Sequence, residues 1–201
     1  MEKLNIRSGL SIKHIIFLFI CMFSLTIHSK SLFIGDSLTY QIASSYKAHQ
    51  PIDALYLEGS GLQSNKILDW HSYIKTVPIG NYDTIYIVLG TNDFITKNET
   101  ITYKTKVKQF IQSIKAKNAS IVWLLPPELK DGRKNNLLKN TRSAIQSVGS
   151  DENIKVLDMR QSLGMQYTQY INNIPIRTKD GIHITKQGAD KIAQLILVNN
   201  E

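Results

Sequence analysis

Ser31-Leu32-Phe33-Ile34-Gly35-Asp36-Ser37-Leu38 is the stretch whose reading decides the fold. Its first half is short and continuously apolar, as a strand buried on both faces must be. It ends on a glycine, and from Leu38 the apolar residues fall at Leu38, Ile42 and Tyr46, one face of a helix that reads on to His49. A buried strand that runs straight into a helix is the opening of a βα unit.

Toward the carboxyl end the alternation repeats. Ile52 to Leu57 reads as a second strand, and Asn65 to Lys75 as a helix that stops before Pro78. Asp83 to Leu89 is the strongest strand, followed by a helix over Tyr103 to Lys117 with Val107, Phe110, Ile111 and Ile114 on one face. Ser120 to Leu125 is a strand ended by Pro126-Pro127. Asn135 to Val148 is a helix, Ile154 to Leu157 a short strand, and a long irregular stretch leads to Asp180 before a last helix over Thr185 to Val198. Five apolar strands alternating with helices predict the α/β class: a three-layer α/β/α sandwich around a five-stranded parallel, flavodoxin-like sheet. In such sheets ligands bind beyond the carboxyl ends of the strands. Chemistry is therefore expected in the turns after Ile34, Leu57, Leu89, Leu125 and Leu157.

Toward the amino end, Lys3, Arg7 and Lys13 precede an apolar run from Ile15 to Ile27. That run is shorter than the ~20 residues of a membrane span and suits a secretory signal peptide. Residues 1–29 are accordingly read as a signal peptide and 30–201 as one domain, the protein being exported to a periplasm or secreted. The rival reading is a membrane anchor through 15–27. Cys21 is the only cysteine, so a processed chain would hold no disulfide, thiol nucleophile or thiolate metal site. The 24 basic and 16 acidic residues give a formal charge of +8; without the leader's three basic and one acidic residues it is +6. The lysines are scattered singly, which suits a solvated basic surface or attraction to an anionic polymer such as an acidic glycan. No motif or aromatic-basic cluster supports nucleic-acid binding. No histidine pair, Cys-x-x-Cys or phosphate-binding glycine loop calls for a metal or other cofactor, and Asp36 and Asp93 have simpler roles inside their turns.

Four segments carry candidate chemistry. Gly35-Asp36-Ser37-Leu38 places a serine at the start of a helix, where backbone amides can meet a developing oxyanion; the plainer reading is that Asp36 or Ser37 caps the helix. Glu58-Gly59-Ser60-Gly61 follows the second strand, where a glycine lets its amide approach a ligand or simply turns the chain. Gly90-Thr91-Asn92-Asp93 follows the third, and its asparagine can donate to an oxyanion or form a turn. Asp180-Gly181-Ile182-His183 offers a histidine to take a serine proton and a carboxylate to fix its tautomer. The other histidines, His14, His28, His49 and His71, have no such partner nearby in sequence.

Together, and in this order, these segments resemble the SGNH hydrolases, also called GDSL esterases and lipases, over Phe33 to about Ala193. Gly188 and Ala193 also match the pattern of that family's last helix. The resemblance implies Ser37 as nucleophile, His183 as general base and Asp180 as its orienting acid. It implies an oxyanion hole from the amides of Ser37 and Gly61, with Gly59 the lesser candidate, and the side chain of Asn92. It implies no cofactor. The expected reaction is ester hydrolysis, with a small acyl group such as acetate leaving an exported or envelope glycan. An acyltransferase using the same serine and an inactive glycan-binding protein on the same fold are the rivals. Trp70 is either a sugar-facing ring or a core residue, and Tyr167 and Tyr170 are candidates to border the site. The partner that the reading calls for is the ester substrate.

Overall fold

The computed structural model describes residues 30–115 and 117–200. The expected leader, its alternative anchor at 15–27, and Cys21, His14 and His28 lie outside these residues. Among the described residues no helix is long and apolar enough to cross a membrane.

Five parallel strands form the sheet: β1 (Ser31–Gly35), β2 (Ile52–Tyr56), β3 (Thr84–Val88), β4 (Ser120–Leu125) and β5 (Lys155–Asp158), in the order β2-β1-β3-β4-β5. Side chains alternate along each strand and build two cores. One face carries Leu32, Ile34, Ile85, Ile87 and Trp123 against helices α3 (Thr100–Lys115) and α4 (Gly132–Asp151). The other carries Phe33, Tyr86, Val88 and Leu124 against helices α1 (Leu38–Tyr46) and α6 (Lys186–Val198). Phe33 stacks on Tyr86 with centroids 4.5 Å apart, and the Tyr46 and Tyr86 hydroxyls meet at 3.1 Å. The predicted sandwich is the observed one.

The differences lie between the strands. The helix expected from Asn65 to Lys75 is only α2 (Trp70–Tyr73), continued by a 3₁₀ turn at Ile74–Thr76. Asp69 caps it by accepting from the amides of His71 and Ser72. Ahead of it, the amides of Leu62 and Gln63 go to Asp93 instead of to a helix. Helix α3 begins a turn earlier than its apolar period suggests, behind a capping box of Thr96 and Glu99. Helix α4 begins earlier too, with Asp131 as its cap. The stretch read as irregular holds a short helix α5 (Arg160–Leu163) and a hairpin of β6 (Tyr170–Ile171) and β7 (Ile174–Pro175). Its turn residues Asn172 and Asn173 both take positive φ, a conformation asparagine tolerates.

Candidate active site

Strand order sets the neighbourhood. Because β1 lies between β2 and β3, the turns that follow these three strands are side by side at one rim of the sheet. Backbone bonds join them: the Leu57 amide donates to Gly35 O at 3.0 Å and the Asp36 amide to Val88 O at 2.9 Å. Gly35 must be glycine at so close an approach, since a Cβ there would lie 2.0 Å from Val88 O.

Ser37 is the residue at the mouth of helix α1. The capping duty falls to Asp36, whose Oδ1 accepts from the Leu38 amide at 3.0 Å. The Ser37 side chain makes no cap bond. Its hydroxyl is thus free to donate to His183 Nε2 at 2.9 Å, across 146 positions of sequence. His183 Nδ1 in turn lies 2.8 Å from Asp180 Oδ2. A carboxylate opposite Nδ1 selects the tautomer with Nδ1–H, which leaves Nε2 as the acceptor. Burial by itself would raise the Asp180 carboxyl, but bonds from Thr178 Oγ1, His183 Nδ1 and the amides of Ile182 and His183 hold it well below the usual range. Asp180 therefore stays ionised through the neutral range.

The other two predicted groups sit in the adjoining turns. The Asn92 side chain donates one N–H to Ser60 O at 2.9 Å. Gly61 follows that carbonyl and is buried, whereas Gly59 is exposed. Asp93 braces the same loop: it accepts from the amides of Leu62 and Gln63 at 3.0 and 2.8 Å and from the Tyr103 hydroxyl at 2.8 Å. A Cβ at Gly61 would meet Asp93 Oδ1 at 2.2 Å, so the carboxylate packs where any side chain would go. Neither the Ser37 nor the Gly61 amide donates to an atom of the described residues. Two backbone donors and the second N–H of Asn92 thus remain for a ligand.

Several supporting residues carry no motif. Arg177 is 2% exposed, and its guanidinium donates to the carbonyls of Ile182 (2.7 Å), Glu128 (2.8 Å) and His183 (3.3 Å). It ties the histidine loop to the turn after β4. Tyr167 lies over that guanidinium, 5.4 Å from ring centroid to Cζ, while Tyr170 is exposed on the hairpin. The only sequence signal for Arg177 is a lone arginine after an apolar residue, and for Tyr103 a tyrosine on an apolar helix face. Trp70 is a core residue, 1% exposed, with its indole N–H on Ser60 Oγ at 3.0 Å, so it offers no face to a sugar. His49 is exposed, and His71 packs edge-on against Phe110. Among the described residues no group of three or more His, Cys, Asp or Glu gathers as a metal would need. A hollow of about 550 Å³ lies at the amino-end side of the sheet, lined by Ser31, Thr84 and Ser120, opposite the rim that carries Ser37.

A family model described as "Protein of unknown function (DUF459)" matches residues 30–199. No curated protein matches the chain by sequence. Among solved structures the chain is similar to a carbohydrate acetylesterase from Sinorhizobium meliloti, at 14% identity and a TM-score of 0.67, over 86% of this chain and 98% of that one. It is similar to a lipase/acylhydrolase from Enterococcus faecalis at 19% identity and 0.63, over 85% and 94%. A GDSL-like lipase from Bacteroides thetaiotaomicron follows at 15% and 0.66, over 85% and 87%. The fold is the one these three structures share.

Proposed function

The chain belongs to the DUF459 family, and we propose that it works as a serine esterase that removes a small acyl group, such as acetate, from an exported or envelope glycan. The observation that carries this reading is the bonded chain Ser37 Oγ, His183 Nε2, His183 Nδ1, Asp180 Oδ2, at 2.9 and 2.8 Å. A nucleophile within reach of a base, and a base oriented by a third group, is what acyl transfer requires.

In the proposed reaction His183 Nε2 takes the Ser37 proton as the hydroxyl oxygen attacks the ester carbon. The negative oxygen of the tetrahedral intermediate is held by the amides of Ser37 and Gly61 and by the free N–H of Asn92. The C–O bond to the alcohol then breaks, and the alcohol leaves with the proton from His183. A water, deprotonated by the same nitrogen, releases the acyl group as a carboxylic acid and restores the serine. Asp180 keeps its negative charge throughout and stabilises the imidazolium that forms in each half-reaction.

Small acyl groups and a glycan are favoured by the half-exposed, open setting of His183 and Asp180, by the apolar leader, and by the carbohydrate acetylesterase among the structures that share the fold. Export rests on that leader alone.

The test is hydrolysis of p-nitrophenyl acetate by the purified protein and its Ser37→Ala form, with a serine-directed fluorophosphonate as label. The parent is expected to turn over and to be labelled. Ser37→Ala should lose at least about 10⁴-fold in kcat and take no label. Asn92→Ala should keep the fold and lose about 10²–10³-fold. If parent and Ser37→Ala are equally inert and neither is labelled, the protein is a binding module on this fold. Acetate release from acetylated xylan, peptidoglycan and sialic acid then identifies the glycan.

A further inference from the structure

A groove of about 300 Å³ opens directly beside the proposed machinery. Lys130, Asp131, Lys134, Asp180, Gly181 and Ile182 line it, so one wall is the carboxylate bonded to His183. The amide of Lys130 donates to Gly181 O at 3.0 Å, which fixes the two walls to each other.

The groove carries two carboxylates and two ammonium groups, but among the described residues hydrogen bonds engage only the carboxylates. Asp180 is occupied by Thr178, Ile182 and His183, and Asp131 caps helix α4 through the amides of Arg133 and Lys134. Neither Lys130 nor Lys134 forms an ion pair with a carboxylate among the described residues. Lys134 instead has its ammonium 5.3 Å from the centroid of the Phe94 ring, two residues beyond Asn92. Exposed Arg133 and Lys179, next in sequence to Lys134 and Asp180, add to the positive side. Lys134 thus reaches from this groove toward Phe94 in the turn that holds Asn92.

The chemistry says which part of the substrate lies there, an argument that rests on the esterase reading. His183 must hand its proton to the departing alcohol, so the alcohol part extends toward His183, while the carbonyl oxygen faces Gly61 and Asn92. The alcohol part is thus the one that reaches the lysine-lined groove behind Asp180. We propose that this groove binds an oxyanion, carboxylate or phosphate, carried by the alcohol part of the ester, and that the substrate is an acylated anionic glycan. Two ammonium groups without an ion pair among the described residues attract such a group, and the formal charge of +6 that remains without residues 1–29 draws the polymer in from a distance.

The test compares four probes: acetylated polygalacturonate, an acetylated glycerol-phosphate polymer, neutral acetylated xylan, and p-nitrophenyl acetate. The parent is expected to favour one of the two charged polymers over xylan, and which one identifies the oxyanion. In Lys130→Gln/Lys134→Gln, the ratio of kcat/KM on that polymer to kcat/KM on p-nitrophenyl acetate should fall about tenfold. Lys130→Arg/Lys134→Arg should retain the ratio. Raising NaCl from about 20 to about 200 mM should lower it in the parent far more than in the Gln variant. In parallel, calorimetry on Ser37→Ala, with and without the two Gln changes, measures binding of the same polymers without turnover. A parent that prefers xylan, or Gln changes that alter neither the ratio nor the binding, overturns the groove assignment. Inertness of the parent toward p-nitrophenyl acetate defeats the esterase reading instead, and the binding arm still decides the groove.

Discussion

Asp36 shows how one residue serves two ends. Its Oδ1 holds the Leu38 amide and so leaves Ser37 free, yet the side chain is fully buried and Oδ2 has no partner among the described residues. Burial, with the charge of Asp93 adding to it, pushes the carboxyl up from 3.8 to about 7. The folded protein thus holds this proton where the unfolded chain has released it. The contribution is fully favourable below about pH 4, is lost as pH rises toward 7, and stays lost above. Asp36→Asn keeps the cap acceptor and cannot ionise. Urea unfolding should show it gaining on the parent by a few kcal/mol between pH 5 and pH 8. Gly61 is the second sensitive residue. In Gly61→Ala the new methyl collides with Asp93 Oδ1, so the loop must shift. The protein should fold with about 1–3 kcal/mol lost and its esterase kcat down about 100-fold or more, read by denaturation and p-nitrophenyl acetate turnover. Ser37, Asn92 and His183 stood out in sequence as candidates because they fall in turn-rich segments beside the predicted strands and helices. The bracing of Gly61 by Asp93 was not, because a carboxylate in a turn looks the same whether it bonds its own amides or those of a loop 30 positions away.

The elements around the site are short and depend on caps and single buried anchors. Thr185 caps helix α6 by accepting from the Gly188 amide, while its hydroxyl donates to Pro175 O, so it joins the last helix to the β6–β7 hairpin. Thr185→Ala should cost about 1 kcal/mol in thermal or urea unfolding. Arg177 does more. Its guanidinium satisfies three carbonyls from two loops, and Arg177→Met would leave the inner ones without a donor. A loss of about 3 kcal/mol or more is expected, together with a fall in kcat as the histidine loop loosens, whereas Arg177→Lys should recover only part because it lacks the fork. Strand and long-helix positions follow from apolar periodicity, which is a property of neighbours in sequence. The shortening of the expected Asn65–Lys75 helix to Trp70–Tyr73, and the hairpin at 170–175, escaped that reading. Asp93 takes the amides of Leu62 and Gln63 ahead of the first, and Thr185 donates to Pro175 O in the second, and both partners lie outside the segments themselves.

Over the whole molecule the two cores share the five-stranded sheet, and each of its strands packs side chains against them. Trp123 sits on strand β4 and Trp70 at the edge of the site, both buried. If the sandwich is one cooperative unit, Trp70→Phe and Trp123→Phe proteins should show urea transitions by fluorescence that each coincide with their own loss of far-ultraviolet circular dichroism. Separate transitions would mean that the site rim unfolds on its own. Sequence alone determined the three-layer sandwich and the turn residues that stand at the rim beyond its strands. It could do so because burial on both faces of a parallel sheet imposes continuous apolar strands, and turns after them need glycine, asparagine and aspartate. Only the tertiary structure decided that Ser37, His183 and Asp180 meet within hydrogen-bonding distance. It also decided that Trp70 belongs to the core, and that Lys130 and Lys134 share a groove with Asp180 without an ion pair among the described residues. Those outcomes depend on which strands are neighbours and on how loops far apart in the chain satisfy one another's amides and carbonyls. Such pairings are three-dimensional and leave no period in a linear sequence.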